Sequence, residues 1–323
     1  MKTFRPENIF LIIFLILMPC AVHASFIRNY PISITQPDGQ VLQCYVTGDE
    51  FYNWLHDAEN FTIVRNDQTG FYCYAILKDN MLEASSYIAG KVDPASAGLV
   101  PGINLPPEKI MLIKKNFFEK MPVPKSGKGN VEKITGVINN IVVFIRFAGE
   151  AEFTDSLSIY DRMFVNTPGN SSLKNYFEEA SFSQLHINSN YYPSPGTLVV
   201  SYQDALTRDY YLPYNATTNP HGYTDQMATE HTLLANAVNA VKSQIPAGMN
   251  LDNNNDGKVD NVCFIVSGDV SAWNTLLWPH RWMLNTQNVD INGKQVYDYN
   301  LQVRSYLLSS GVGVLCHEMF HTL

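Results

Sequence analysis

The stretch Val137–Phe147 reads VINNIVVFIRF, and it decides the fold of the second half of the chain. Its apolar residues run together, and most of them are β-branched. A strand of this composition is typically buried on both faces, because helices cover the two sides of its sheet. The stretch therefore predicts an α/β domain.

The segments that follow this strand fit the prediction. Ser171–Ala180 offers a serine as a helix cap and has a buried stripe at helical spacing. Asp225–Ile245 is typical of a longer helix, while Gln184–Ile187 and Val259–Val266 are typical of strands. Helices and strands thus alternate through this part of the chain.

The N-terminal part of the chain has a different pattern, in which short strands follow one another from Phe26 to Leu82. Phe61–Arg65 and Phe71–Leu77 flank a short polar turn, which predicts a hairpin. Cys44 and Cys73 lie in this region and could pair in an oxidising compartment.

Proline and glycine interrupt the region from Tyr87 to Asn130, apart from one candidate helix at Pro107–Lys120. Pro122–Asn130, PVPKSGKGN, predicts a flexible and exposed linker that a protease could cut at its lysines. The sequence therefore predicts a domain boundary here.

The chain begins with the features of a secretory signal peptide. Lys2 and Arg5 precede the apolar run Ile9–Met18, and small residues lead up to Ala24. We expect cleavage after Ala24 and a protein that is secreted or held at the cell surface. The predicted units are a signal peptide at 1–24, a β-rich region at 25–121, a linker at 122–130 and a second domain at 131–323.

The composition limits the partners. A formal net charge of −8 argues against nucleic acid or an anionic membrane surface as a partner. Apolar residues make up 46% of the chain, which predicts a folded core. No membrane span is expected once the signal peptide has been removed.

The C-terminal stretch Ser309–Leu323, SSGVGVLCHEMFHTL, contains the pattern His-Glu-x-x-His. On a helix, His317 and His321 would project from one face, one turn apart, and could hold two corners of a tetrahedral Zn²⁺. Glu318 would then be the general base that takes a proton from a zinc-activated water.

The same helix has a second, apolar stripe formed by Leu315, Met319 and Leu323, which we expect to be buried. One of the serines before it could cap the helix. The alternative interpretation is a buried helix whose histidines only form hydrogen bonds.

A second candidate metal site lies at Asp252–Asp260, DNNNDGKVD. Asp252, Asn254 and Asp256 occupy the first, third and fifth positions of a calcium loop, and a glycine holds the sixth. Lys258 would contribute its backbone carbonyl, and Asp260 is at the ninth position. The twelfth position is a cysteine instead of the glutamate of an EF-hand, so we predict a structural Ca²⁺ loop of another type. The alternative is a turn rich in Asn and Asp.

Three further residues attract attention. Glu230 and His231 are adjacent on the long predicted helix, and we interpret them as a surface pair rather than a catalytic one. His280 lies between two tryptophans, where it either lines a cleft or is a hydrogen-bonded core residue.

The ordered set of segments resembles the immune-inhibitor-A-like family of bacterial secreted zinc metallopeptidases. The segments that carry the resemblance are Gly48–Tyr52, His56–Ala58, Phe71–Leu77, Val142–Phe147, Leu173–Phe182, Asp252–Asp260, Leu277–Trp282 and His317–His321. The resemblance implies a mostly-β N-terminal pro-region, followed by the first part of a zincin-like mixed α/β metallopeptidase domain. It also implies His317 and His321 as zinc ligands, Glu318 as general base, and a protein or peptide substrate. The protein would be made as a zymogen.

The chain departs from this family at its end. The family pattern continues with a glycine and a third zinc ligand, whereas this chain stops two residues after His321. We therefore expect a truncated protease whose third ligand lies beyond Leu323. Two alternatives are a calcium-stabilised secreted binding module with a vestigial zinc site and a structural surface protein. A further possibility is that Cys44 or Cys73 caps the zinc in a precursor.

Overall fold

The structure is a computed structural model, and it describes residues 27–49, 51–66, 68–120, 135–165, 170–268 and 276–322. The predicted signal peptide at 1–24 and the predicted linker at 122–130 lie outside the described residues. Within the described ranges, no helix is long and apolar enough to cross a membrane.

The N-terminal residues form a six-stranded antiparallel sheet in which each strand pairs with the next along the chain. The predicted hairpin is present, with Ile63 opposite Tyr74 and Val64 opposite Cys73. A mostly-β N-terminal region is therefore confirmed. Its strands are β1 (Ile27–Thr35), β2 (Val41–Gly48), β3 (Asn53–His56), β4 (Thr62–Arg65), β5 (Tyr72–Lys78) and β6 (Met81–Ile88).

Cys44 and Cys73 lie inside this sheet without forming a disulfide. Both are free and almost fully buried, with 1% and 3% of their surface exposed. Burial raises the pKa of the Cys44 thiol to about 12 and also raises that of Cys73. Since the thiolate is the form that binds zinc, neither the pairing nor zinc capping by these cysteines is a feature of this structure.

Helix α1 (Pro107–Lys120) follows the N-terminal sheet, as the sequence predicts. The Lys114 ammonium contacts the Asp49 carboxylate at 2.5 Å, which fastens the helix to the loop after β2.

The part of the chain after the predicted linker, called the second domain from here on, contains a mixed sheet with the strand order β12-β15-β11-β7-β8, and the short β9 pairs with the end of β7. All neighbours are parallel except β12, which is an antiparallel strand at the edge. Mixed α and β structure is therefore confirmed for this domain. The strands are β7 (Gly136–Arg146), β8 (Leu185–Tyr192), β9 (Tyr202–Gln203), β11 (Val262–Val266), β12 (His280–Met283) and β15 (Asp298–Val303). A smaller sheet joins β10 (Lys258–Val259), β14 (Lys294–Val296) and β13 (Asp290–Ile291).

Alternate residues of β7 enter two different cores, as expected for a strand covered on both faces. Val142 and Phe144 belong to one core, while Ile141 and Val143 belong to the other, and all four are fully buried. The helices that supply these cores are α2 (Leu157–Phe164), α3 (Leu173–Ala180) and α6 (Val312–Phe320) on the first face and α4 (Gln226–Val241) on the second.

The two predicted serine caps have different outcomes. Ser172 caps α3, because its hydroxyl accepts a hydrogen bond from the Asn175 N–H at 3.1 Å. The cap predicted for the C-terminal helix is wrong: Ser309 and Ser310 belong to helix α5 (Arg304–Ser310), and Gly311 separates it from α6. Gly311 has a φ of 70°, which glycine adopts at little cost.

The N-terminal sheet and the end of α6 lie at opposite edges of the parallel strands. The Tyr30 ring packs against Tyr306 of α5, which directly follows β15, and the Tyr30 hydroxyl lies 2.9 Å from Ser309 Oγ. Thr322, just after α6, instead contacts Asn261, which directly precedes β11, at 3.4 Å. The N-terminal sheet thus docks at the carboxyl edge, whereas α6 runs towards the amino edge.

Candidate metal centre

The structure brings the two histidines of the His-Glu-x-x-His pattern together on α6. Their Nε2 atoms are 2.9 Å apart, and the two rings are perpendicular, with their centroids 4.5 Å apart. Helical spacing alone explains this proximity, because residues four apart lie on one face. The two nitrogens form a hydrogen bond with each other in this structure, and a single face of the helix could offer both to one metal ion.

Packing explains which side of α6 faces the protein. Leu315 and Met319 are fully buried against the sheet, as the apolar stripe predicts, while Leu323 lies outside the described residues. His317 is half-buried and His321 is exposed. Glu318 is only 2% exposed, so its carboxylate lies on the inner side of the site.

The electrostatics of the two histidines suit a metal. Burial lowers the pKa of His317, and the neighbouring His321 lowers it further. Burial also lowers the pKa of His321, with a further contribution from the positive charge of Arg281. Both imidazoles are therefore neutral at pH 7, which is the form that ligates metals.

The spacing of the two nitrogens is shorter than that of two zinc ligands. At Zn–N distances of about 2.0–2.1 Å, two ligands of a tetrahedral ion are roughly 3.3 Å apart. The observed 2.9 Å is a hydrogen-bond distance, so the two nitrogens would have to move apart to bind zinc. Within the described ranges, however, no group of three or more His, Cys, Asp or Glu side chains could hold a metal ion. The described part of the chain thus supplies two candidate ligands.

Arg281 is the cationic neighbour of Glu318. It lies on the edge strand β12, opposite Asn300 of β15, and it forms an ion pair with Asp298. Burial lowers the pKa of Arg281, and the Glu318 carboxylate opposes that effect. No local motif marks this residue, because only the pairing of β12 with β15 brings it to α6.

A groove of about 640 Å³ runs beside His317, between α3 and α6. Tyr176, Glu179 and Phe320 line it, and every lining residue belongs to the second domain. The N-terminal sheet contributes no side chain to this groove, which agrees with its position at the other edge of the strands.

The interpretation of Glu230 and His231 as a surface pair is wrong. Glu230 is 4% exposed and His231 is fully buried. Glu230 Oε1 lies 2.8 Å from His280 Nε2 and also accepts a hydrogen bond from the Tyr299 hydroxyl. His280 is therefore a hydrogen-bonded and partly buried residue, with 19% of its side chain exposed, which is nearer to the hydrogen-bonded of its two predicted roles. Burial lowers the pKa of His280, but the Glu230 carboxylate raises it by more, to about 9.

The candidate calcium loop is held by its own hydrogen bonds. The Asp252 carboxylate accepts the N–H groups of Asp256 and Gly257 at 2.9 and 3.0 Å, and it lies 2.7 Å from the Lys294 ammonium. The Asp260 carboxylate accepts the Asn253 N–H.

The charge of this loop favours a cation. Burial raises the pKa of Asp260 to about 6, and the negative charges of Asp252 and Asp256 contribute to the increase. The side-chain oxygen of Asn254 and the N–H of Lys258 both bond within the loop, to Asp256. Lys294 supplies one positive charge in this structure, and Ca²⁺ binding stays a prediction.

The sequence matches no protein-family model, and no curated protein matches it with significance.

Proposed function

We propose that this chain is part of a secreted zinc-dependent endopeptidase, in which His317 and His321 bind the metal and Glu318 is the general base. The observation that supports the proposal most is the 2.9 Å approach of the two Nε2 atoms beside a buried carboxylate. The 2.9 Å contact is a hydrogen bond between the two rings, so it also fits the alternative of histidines that only form hydrogen bonds, and a zinc titration of the chain separates the two interpretations.

In the proposed reaction, the zinc would polarise the scissile carbonyl when bound. Glu318 takes a proton from the attacking water and passes it to the leaving amine. Its position next to His317 in the chain keeps it near the metal without making it a ligand. The Arg281 guanidinium, on the neighbouring strand β12, offsets part of the negative charge of Glu318.

In the proposed zymogen, the N-terminal sheet would not inhibit by covering the histidines, because the sheet docks at the opposite edge of the strands. We propose instead that control depends on the linker at 122–130 and on the contact of Tyr30 with α5.

The test compares zinc affinity with hydrolysis of a denatured protein substrate, using the 323-residue chain and any longer form that the gene encodes. Glu318→Gln should lower the hydrolysis rate by about 10²–10⁴-fold, because general base catalysis contributes that much, and should leave zinc affinity within a few-fold. His317→Ala should remove zinc binding. Glu108→Gln, on the exposed first turn of α1, is the matched control and should change neither quantity. Hydrolysis that survives Glu318→Gln would refute the proposal.

The runner-up is a calcium-stabilised secreted binding module with a vestigial zinc site. The presence of only two candidate ligands within the described ranges favours it. It predicts no zinc-dependent hydrolysis in any form of the chain, together with a calcium-dependent increase in thermal stability.

A further inference from the structure

A buried ion pair lies behind the edge strand β12, on the side of the sheet that faces α4. His280 of β12 and Glu230 of α4 form it at 2.8 Å, and Tyr299 of β15 donates a hydrogen bond to the same carboxylate. Replacing a buried ion pair with apolar residues is often neutral or stabilising. Core packing alone therefore does not explain why these three positions carry polar or ionisable side chains.

The geometry fixes the charge state of the cluster. His280 Nε2 faces the Glu230 carboxylate, and His280 Nδ1 lies 2.6 Å from the carbonyl oxygen of Trp278. Both neighbours are acceptors, so both ring nitrogens must carry a proton. The cluster is thus an imidazolium and a carboxylate, whose charge-assisted hydrogen bonds are stronger than neutral ones.

The strand that this cluster holds is short. β12 has four residues and pairs with β15 on one side, while no described strand pairs with its other side. An edge strand of this length frays unless its side chains fix it. The cluster connects β12 to α4 and to β15, and so fixes it from one face of the sheet.

The next residue along the strand carries this constraint to the candidate metal centre. Successive side chains of a strand point to opposite faces, so Arg281 lies on the face that α6 covers. There its charge interacts with Glu318 and His321, and it forms an ion pair with Asp298. A shift of His280 would displace Arg281 relative to the site.

We propose that Glu230, His280 and Tyr299 are positioning residues that hold β12, and with it Arg281, against Glu318. The consequence for catalysis rests on the proposed peptidase function. The consequence for the structure does not, because the position of β12 can be measured in a protein without activity.

The structural test is amide hydrogen exchange of the full chain. Glu230→Gln removes the negative charge but keeps the size of the side chain, and the amides of His280–Met283 should then exchange at least tenfold faster. Glu178→Gln is the control, since Glu178 forms a more exposed His–Glu pair with His186 at 2.9 Å, at the opposite edge of the sheet. It should leave β12 unchanged. Unchanged exchange of β12 in a folded Glu230→Gln variant would overturn the proposal.

A second variant distinguishes a local effect on β12 from a general loss of folding. Tyr299→Phe removes one hydrogen bond to Glu230 and keeps the ring, and it should accelerate exchange of β12 by a smaller factor, about twofold to fivefold. If Glu230→Gln unfolds, this variant decides the result. Equal acceleration over the whole domain, rather than at β12, would contradict a positioning role.

The catalytic test uses the same proteins. Glu230→Gln should lower kcat at least tenfold while KM and zinc affinity change less than threefold, and Glu230→Asp, which keeps the charge, should restore part of kcat. An unchanged kcat despite faster exchange would overturn the link to the site. Absence of zinc-dependent hydrolysis in the unmodified chain would count against the proposed function only, and the exchange result would still decide the position of β12.

Discussion

Gln302 offers a test of the energetics beneath the candidate zinc helix. It lies on β15 with no exposed surface, and neither polar atom of its amide has a hydrogen-bond partner among the described residues. Burial of an unbonded amide costs about 1–3 kcal/mol. Methionine is similar in length and has no amide, so Gln302→Met should raise the free energy of unfolding by about 1–2 kcal/mol. The midpoint of thermal unfolding should rise by roughly 2–4 °C.

Gln36 provides the matched control, because the same substitution there should have the opposite effect. Gln36 is also almost fully buried, but its amide donates to the carbonyls of Tyr72 and Ala89 at 3.0 and 3.2 Å and accepts the Tyr72 N–H at 2.9 Å. Gln36→Met leaves the Tyr72 N–H and the Ala89 carbonyl without this partner, while the Tyr72 carbonyl keeps the Ala89 N–H, and the loss should be about 2–3 kcal/mol. Chemical denaturation of both variants measures the two effects. A loss of stability in Gln302→Met would refute the reasoning and show that ordered water bonds its amide.

Three further outcomes follow from single contacts. The His280–Glu230 pair should contribute its full stabilisation below pH 6.5. This contribution should disappear as the pH rises through about 9, which is the raised pKa of His280. When the free energy of unfolding is measured from pH 7 to 10, the loss should be absent in His280→Gln. Ser172→Ala should lower the free energy of unfolding by about 1 kcal/mol, because it removes the cap of α3. A decrease of less than a few tenths of a kcal/mol, measured by thermal denaturation, would contradict that role. Lys294→Met should increase calcium affinity in a calorimetric titration, because the lysine ammonium competes with a cation at Asp252; no calcium binding by either protein would favour the simple turn.

The elements that the sequence predicts well depend on local spacing. The convergence of His317 and His321 needs only a helix, since residues four apart share a face. The β7 strand and its two buried faces follow from an uninterrupted apolar run. The hairpin around Asn66 follows from alternating strands about a polar turn, and the cap at Ser172 follows from the residue before an apolar stripe.

The elements that it predicts poorly depend on distant partners. Glu230 looks like a surface residue because charged side chains are rarely buried without a partner. Its partners, His280 and Tyr299, lie 50 and 69 residues further along the chain, and no local pattern predicts their meeting. Arg281 was missed for the same reason, since its approach to Glu318 depends on the register of β12 against β15.

The position of the N-terminal sheet limits the ways in which it could inhibit the proposed zymogen. A pro-region that covers its active site would contact the groove beside His317, but that groove is lined only by second-domain residues. Tyr30 instead contacts Tyr306 and Ser309, just before the turn at Gly311 that leads into the zinc helix. The N-terminal sheet therefore contacts the chain just before α6 begins, rather than at the histidines. Any inhibition by this sheet would therefore act on the orientation of α6, because among the described residues the sheet does not line the groove beside His317.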